Sequence, residues 1–248
     1  MSTASDVTCL LREPAAGRVT CVEIGASSVE TVVLESSTVL HQASGAVSTP
    51  DLPLLIAVPG LVRGTRVIAA SNLGWYDVDP AEQLGLPGPA AVVSNDAEAA
   101  ALGESVLRPG HPDLVFVGLG TGIGGAVVTR GTAEANLFAH GGSFSDRACA
   151  CGRVGCLETV AGGWALPDQL TESHLLDIAC AVAKAVNDDP RATPPLLVLS
   201  GGLTAAYPAL VGLLAAALPE RLVVPTAALG TKSAAAWGLQ HLFATRNP

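Results

Sequence analysis

Leu114-Val-Phe-Val-Gly-Leu-Gly-Thr-Gly-Ile-Gly-Gly-Ala-Val-Val-Thr129 reads as strand, glycine-rich turn and strand, with strands expected at 114–118 and 126–129. Closely spaced glycines let backbone N–H groups approach an anion, and Thr121 adds a hydroxyl donor. The stretch is not a Walker A loop, because no Gly-Lys-Ser/Thr follows. Nor is it a dinucleotide fingerprint, because a strand follows where a helix would be needed. A plain hairpin turn accounts for it as well as a phosphate cradle does. A second unit of the same kind lies upstream, where β-rich residues 18–24 and 29–34 flank Gly25-Ala-Ser-Ser28. The recurrence near 25 and near 120 points to two related halves.

Outward from these turns the chain alternates. Residues 35–53 are Ser/Thr-rich and weakly patterned, and are expected to form a loop or short strand. Leu54–Val58 is a buried strand stopped by Pro59-Gly60; 66–72 is extended, and 91–94 is a strand ending at Asn95-Asp96. A helix is expected over Ala97–Leu107, and others over 174–187, 207–217 and Ser233–Thr245. Strands at Leu196–Leu199, before Ser200-Gly201-Gly202, and at 223–224 complete a mixed-sheet α/β pattern.

The 248 residues are 49% hydrophobic, enough for one large or two small domains. A net charge of −9, with 13 Lys and Arg that nowhere cluster, argues against nucleic-acid binding. No run of eighteen apolar residues and no basic n-region are visible, so neither a membrane span nor a secretion signal is expected. A cytoplasmic protein with reduced cysteines fits best.

Cys149-Ala-Cys-Gly-Arg-Val-Gly-Cys-Leu-Glu158 follows His140. His140, Cys149, Cys151 and Cys156 make a full tetrahedral donor set for zinc, which leaves no open position and so implies a structural metal. The alternative is buried packing cysteines or a disulfide. Cys9, Cys21 and Cys180 stand in apolar surroundings and are expected only to pack. Asn95-Asp96 offers a carboxylate for proton abstraction, although either residue also serves as a helix N-cap.

The order of these pieces resembles the ROK family (repressors, open reading frames and sugar kinases). The matching segments are Ala57-Val-Pro-Gly60, Ser71-Asn-Leu-Gly-Trp75, Ser94-Asn-Asp-Ala-Glu-Ala-Ala-Ala-Leu-Gly-Glu104, Gly118–Gly125, Cys149–Glu158, Leu199-Ser-Gly-Gly202 and Ala228-Leu-Gly230. The resemblance implies a two-lobed, actin-like or ribonuclease H-like ATPase fold with mixed sheets. Its smaller lobe would be residues 1–97 plus a C-terminal helix over 235–248, and its larger lobe 98–234. It implies ATP and Mg²⁺ as cofactors beside the zinc, a small sugar or polyol as substrate, and a homodimer. Asp96 would be the general base, and Gly60, Asn72, Asn95, His140 and Glu158 would contact or lie beside the sugar. Gly25, Ser27, Gly118, Gly120, Thr121, Gly122, Gly201 and Gly202 would face the nucleotide.

Three features depart from the family pattern. Its Asp-x-Gly-Gly-Thr-Lys appears as Glu23-Ile-Gly-Ala-Ser-Ser28, with a longer carboxylate, an added Cβ at Ala26 and no lysine. Its Glu-x-Gly-His appears as Leu137-Phe-Ala-His140, so a sugar-gripping carboxylate is absent there. Segments 35–53, 131–136 and 163–175 are short for the family, and no helix-turn-helix precedes residue 18. Two readings follow: an ATP-dependent kinase of a sugar, cyclitol or amino sugar, or a non-catalytic sugar- or nucleotide-binding regulatory pseudokinase.

Overall fold

The computed structural model describes residues 17–25, 27–49, 51–135, 137–227 and 233–246. Cys9, Ala26 and the Ala228-Leu-Gly230 motif lie outside the described residues. In chain order the strands and helices are β1 (Arg18–Ile24), β2 (Val29–Glu35), β3 (Thr38–Ser44), β4 (Leu54–Val58), β5 (Leu61–Arg63), β6 (Arg66–Ala70), β7 (Trp75–Val78), α1 (Pro80–Gln83), β8 (Val92–Asn95) and α2 (Asp96–Val106). They continue with β9 (Leu114–Leu119), β10 (Ile123–Thr129), β11 (Thr132–Ala135), α3 (Glu158–Ala161), α4 (Glu172–Asp188), β12 (Leu196–Ser200), α5 (Gly202–Ala206), α6 (Ala209–Ala217), β13 (Leu222–Pro225) and α7 (Ala235–Arg246).

One five-stranded sheet has the order β3-β2-β1-β4-β8, antiparallel from β3 to β1 and parallel from β1 to β8. The other runs β11-β10-β9-β12-β13 with the same succession of antiparallel and parallel pairs. The two glycine turns therefore occupy the same place, between the first and second strand of each half. The central strands β4 (Leu-Leu-Ile-Ala-Val) and β12 (Leu-Leu-Val-Leu-Ser) are buried at every position, as strands covered on both faces must be. A three-stranded sheet, β5-β6-β7, hangs beside the first.

α2 and α7 fill the layer between the two sheets. α7 packs on β1, β2, β4 and β8, and α2 on β9, β10 and β11. One buried cluster joins Val19, Leu34 and Leu55 to Leu114, Phe116 and Val198 through Ala99, Ala100, Ala101, Trp237 and Leu239. The helices cross so closely that a Cβ at Gly103 would strike the Ala234 carbonyl, and one at Gly238 the Ala99 carbonyl. The alanine run of α2 thus serves two ends: high helix propensity and a slim profile. α4 and α6 cover the other face of the second sheet around Ile178, Val182, Leu197 and Leu214.

Several expectations need correction. Residues 38–44 form a full strand, whose edge position leaves it mostly exposed and so hides the alternation. The turn at 118–125 is tighter than the glycines indicate. Gly118, Gly124 and Gly125 lie in paired strands, leaving Gly120–Gly122 as the turn. Cys180 is exposed on α4, whereas Cys21 is buried as expected. No helix among the described residues is long and apolar enough to cross a membrane.

Candidate active site and metal centre

β8 ends at Asn95, and α2 begins one residue later. The Asn95 Oδ1 accepts from the N–H groups of Ala97 (3.0 Å) and Glu98 (3.1 Å), which makes it the helix cap. Its Nδ2 donates to the Gly60 carbonyl at 2.9 Å. The turn after β4 is thereby held against the start of α2, alongside the parallel register of Val58 with Asn95. Gly60 has φ +100°, and a Cβ there would meet the Ala69 carbonyl, so glycine is required. Asn72 lies nearby in sequence, exposed on a single 3-10 turn, Ser71–Leu73.

With Asn95 as cap, Asp96 keeps its carboxylate for other work. Burial pushes its pKa from 3.8 up to about 6, against the lowering effect of the Ala97 N–H that donates to it at 2.9 Å. Glu98 adds a smaller upward push. A carboxyl poised near neutrality at a strand end has the acidity expected of a general base. The same helical turn abuts the glycine hairpin, since a Cβ on Gly124 would stand 3.3 Å from that of Ala97.

The β9–β10 turn closes through Gly120 N–H to the Gly122 carbonyl at 2.9 Å, and the β1–β2 turn through Gly25 N–H to the Ser28 carbonyl at 2.7 Å. The two turns meet: the hydroxyls of Ser27 and Thr121 are 3.3 Å apart. Glu23, at the end of β1, accepts a hydrogen bond from Ser233 Oγ at 2.7 Å, next to the start of α7. Gly201, after β12, has φ +98°, and a Cβ there would collide with the Leu119 carbonyl beside the hairpin. Gly202 opens α5.

Donor atoms of His140, Cys149, Cys151 and Cys156 all lie within 4.8 Å of one another. Cys151 Sγ to Cys156 Sγ is 3.6 Å, as is Cys149 Sγ to His140 Nδ1. Tetrahedral zinc bonds of about 2.0–2.3 Å place neighbouring donors roughly 3.3–3.8 Å apart, the spacing of those two pairs, and the thiol and imidazole donors are of the type zinc takes. The backbone shapes the knuckle beforehand: Cys149 N–H donates to the Arg153 carbonyl at 2.8 Å and Gly155 N–H to Arg147 at 2.9 Å. The cysteines are free thiols, not a disulfide.

Glu158 leaves the knuckle to begin α3, and its carboxylate is buried. One oxygen accepts the Ile123 N–H at 2.9 Å, and the other accepts the Trp164 indole N–H at 3.3 Å. Candidate residues thus come from five turns at the ends of β1, β4, β8, β9 and β12, with the knuckle beside the β9–β10 turn. Trp164, Arg147 and Ser233 are structural partners that motif reading missed. Trp164 carried only a faint signal, a lone aromatic after two glycines. A cavity of about 620 Å³, lined by Val127, Arg130, Glu134 and Arg191 among others, contains none of the candidate residues.

Two like-ordered mixed sheets with helices between them, and glycine turns facing each other, define an actin-like ATPase fold. The ROK family sequence pattern matches residues 40–224, and the chain belongs to that family. An N-acetylmannosamine kinase of Escherichia coli O1:K1 / APEC is 38% identical over 123 residues, which are 44% of this chain and 41% of that relative. The match thus spans less than half of the length of the curated relative. The ROK family glucokinase from Streptomyces griseus, solved with glucose and AMPPNP, superposes with a TM-score of 0.70 at 19% identity, covering 91% of this chain and 99% of that one. The ROK hexokinase from Thermus thermophilus gives 0.64 at 21% identity, over 93% and 100%.

Proposed function

We propose that this chain transfers the terminal phosphoryl group of ATP to a hydroxyl of a sugar or sugar-like molecule, such as a cyclitol or amino sugar. The observation that carries the reading is Asp96: half-buried, raised to about pKa 6, and relieved of capping by Asn95. As the hydroxyl oxygen forms its bond to phosphorus, Asp96 accepts the hydroxyl proton, and the bridging oxygen leaves with ADP. The Gly60 turn, Asn72, Asn95, His140 and Glu158 orient the sugar in this reading. Gly25, Ser27, Gly118, Gly120, Thr121, Gly122, Gly201 and Gly202 surround the phosphates and nucleotide. Mg²⁺ bound with ATP would supply positive charge, and zinc on His140, Cys149, Cys151 and Cys156 would be structural. The lobes of this kinase divide after residue 97, with the terminal helix returning to the smaller one.

The likeness to sugar kinases in sequence and fold supports the reading. The test is ADP release from MgATP across hexoses, amino sugars, N-acetyl sugars and cyclitols, with Asp96→Asn alongside. A substrate-dependent signal that vanishes in the variant is expected. Silence across the panel from folded protein would favour the second reading, a regulatory pseudokinase. That alternative draws on Ser28 in place of lysine and on Glu23, whose carboxylate accepts the Ser233 hydroxyl.

A further inference from the structure

The glycine hairpin is fastened to the knuckle by a set of directed hydrogen bonds. Gly163 N–H donates to the Gly120 carbonyl at 2.9 Å, and Trp164 N–H to the Thr121 carbonyl at 3.0 Å. Glu158 holds the Ile123 N–H, and Gly122 lies against the same carboxylate, where a Cβ would come within 2.6 Å of Oε2. Trp164 closes the circuit: its indole N–H donates to Glu158, and the Arg147 guanidinium sits 5.3 Å above its ring. Arg147 itself donates to the carbonyls of Thr159 and Ala165 at 3.0 Å each. Cys149 Sγ is 3.9 Å from the other side of the Glu158 carboxylate, so a metal ligand and the hairpin share one buried acceptor.

We propose that Trp164 is a positioning residue that, through Glu158, couples the metal knuckle to the phosphate turn, so that metal loading sets the grip on nucleotide. The proposal rests on the kinase reading for the word nucleotide, but its mechanical half does not. A glycine turn has little stiffness of its own, because each glycine has a wide choice of φ and ψ. Three of the four residues from Gly120 to Ile123 are fixed by groups on or just after α3, and α3 is one turn long and starts two residues after Cys156. Order at the phosphate turn is therefore borrowed from the knuckle. Glu158 keeps lone pairs beyond those two bonds, so it serves this role whether or not a sugar hydroxyl also reaches it.

The test compares full-length wild type, Trp164→Phe and chelator-treated wild type by hydrogen exchange over residues 118–125 and by AMPPNP titration. Phe keeps an aromatic ring at the position and removes the indole N–H donor. Losing one hydrogen bond to a charged group is expected to speed exchange at Ile123 about tenfold in Trp164→Phe, with zinc content unchanged, and to weaken AMPPNP binding about as much. Chelation is expected to do the same or more. Unchanged exchange at the hairpin in both would overturn the proposal, as would faster exchange with unaltered AMPPNP affinity. Wild type that binds no AMPPNP removes the kinase reading instead, and the coupling is then judged by exchange alone.

Discussion

The Ser27 hydroxyl lies 3.3 Å from that of Thr121, so the equivalent turns of the two halves touch. One hydroxyl donates to the other, which leaves the acceptor's own proton for solvent, and both could turn to donate to an anion. Both residues are exposed, which leaves little of the fold dependent on the contact.

If that pair faces phosphate, Thr121→Val should raise the Kd for AMPPNP about ten- to a hundredfold, the effect of one hydrogen bond to a charged acceptor. Stability should move by less than about 0.5 kcal/mol, as for other exposed positions. Calorimetric titration and urea melts read the two quantities, and an unchanged Kd would take Thr121 out of the phosphate site.

Asp96→Asn should lower kcat by about a hundred- to ten-thousandfold with little change in KM, since a base acts in the transition state. In the wild type, kcat/KM should rise through about pH 6 and level off above it, as the carboxylate forms. Stability has the opposite sign. The folded pKa exceeds 3.8, so the group's contribution is fully present below 3.8 and is lost as pH rises through about 6. Asparagine avoids that loss, and the variant should be more stable at pH 7.5 by about 1–2 kcal/mol after allowing for partial exposure and the lost helix-dipole term. A destabilised variant would contradict the burial argument.

Gly238→Ala inside α7 would ordinarily stabilise a helix by about 0.5–1 kcal/mol. Here the new methyl would strike the Ala99 carbonyl on α2, and the expected outcome is a loss of about 1–3 kcal/mol as the crossing is pushed apart. Equilibrium unfolding of the variant decides the sign.

Zinc should be present at about one equivalent per chain, and elemental analysis below half an equivalent would reject the site. Cys151→Ser should lower the melting temperature markedly and weaken AMPPNP binding, because the closed donor set contributes to folding and, through Glu158, to order at the phosphate turn.

Much of this was visible in the residues. The hairpin of β1 and β2, the buried β4 and the amphipathic α4 announce themselves by apolar runs and period. β3 does not, because an edge strand needs few buried side chains, and β5 and β7 are too short to show a period. At Asn95-Asp96 the residues alone allow either to cap the helix. The two N–H groups accepted by Asn95 resolve it, and they depend on where β8 stops. Trp164 is silent in sequence because its meaning lies in a carboxylate six residues back and a backbone N–H forty-one residues back.

The family, the repeated strand–glycine–strand unit and the candidate metal donors are legible in the residues alone, because each is a local pattern of residue types at close spacing. That the Ser27 and Thr121 turns meet, that α2 and α7 share one narrow layer, and that Glu158 holds the hairpin emerge only in three dimensions. Those are contacts between groups far apart in the chain. They form where burial of both sheet faces drives the halves together, and the small residues at the crossing let them close.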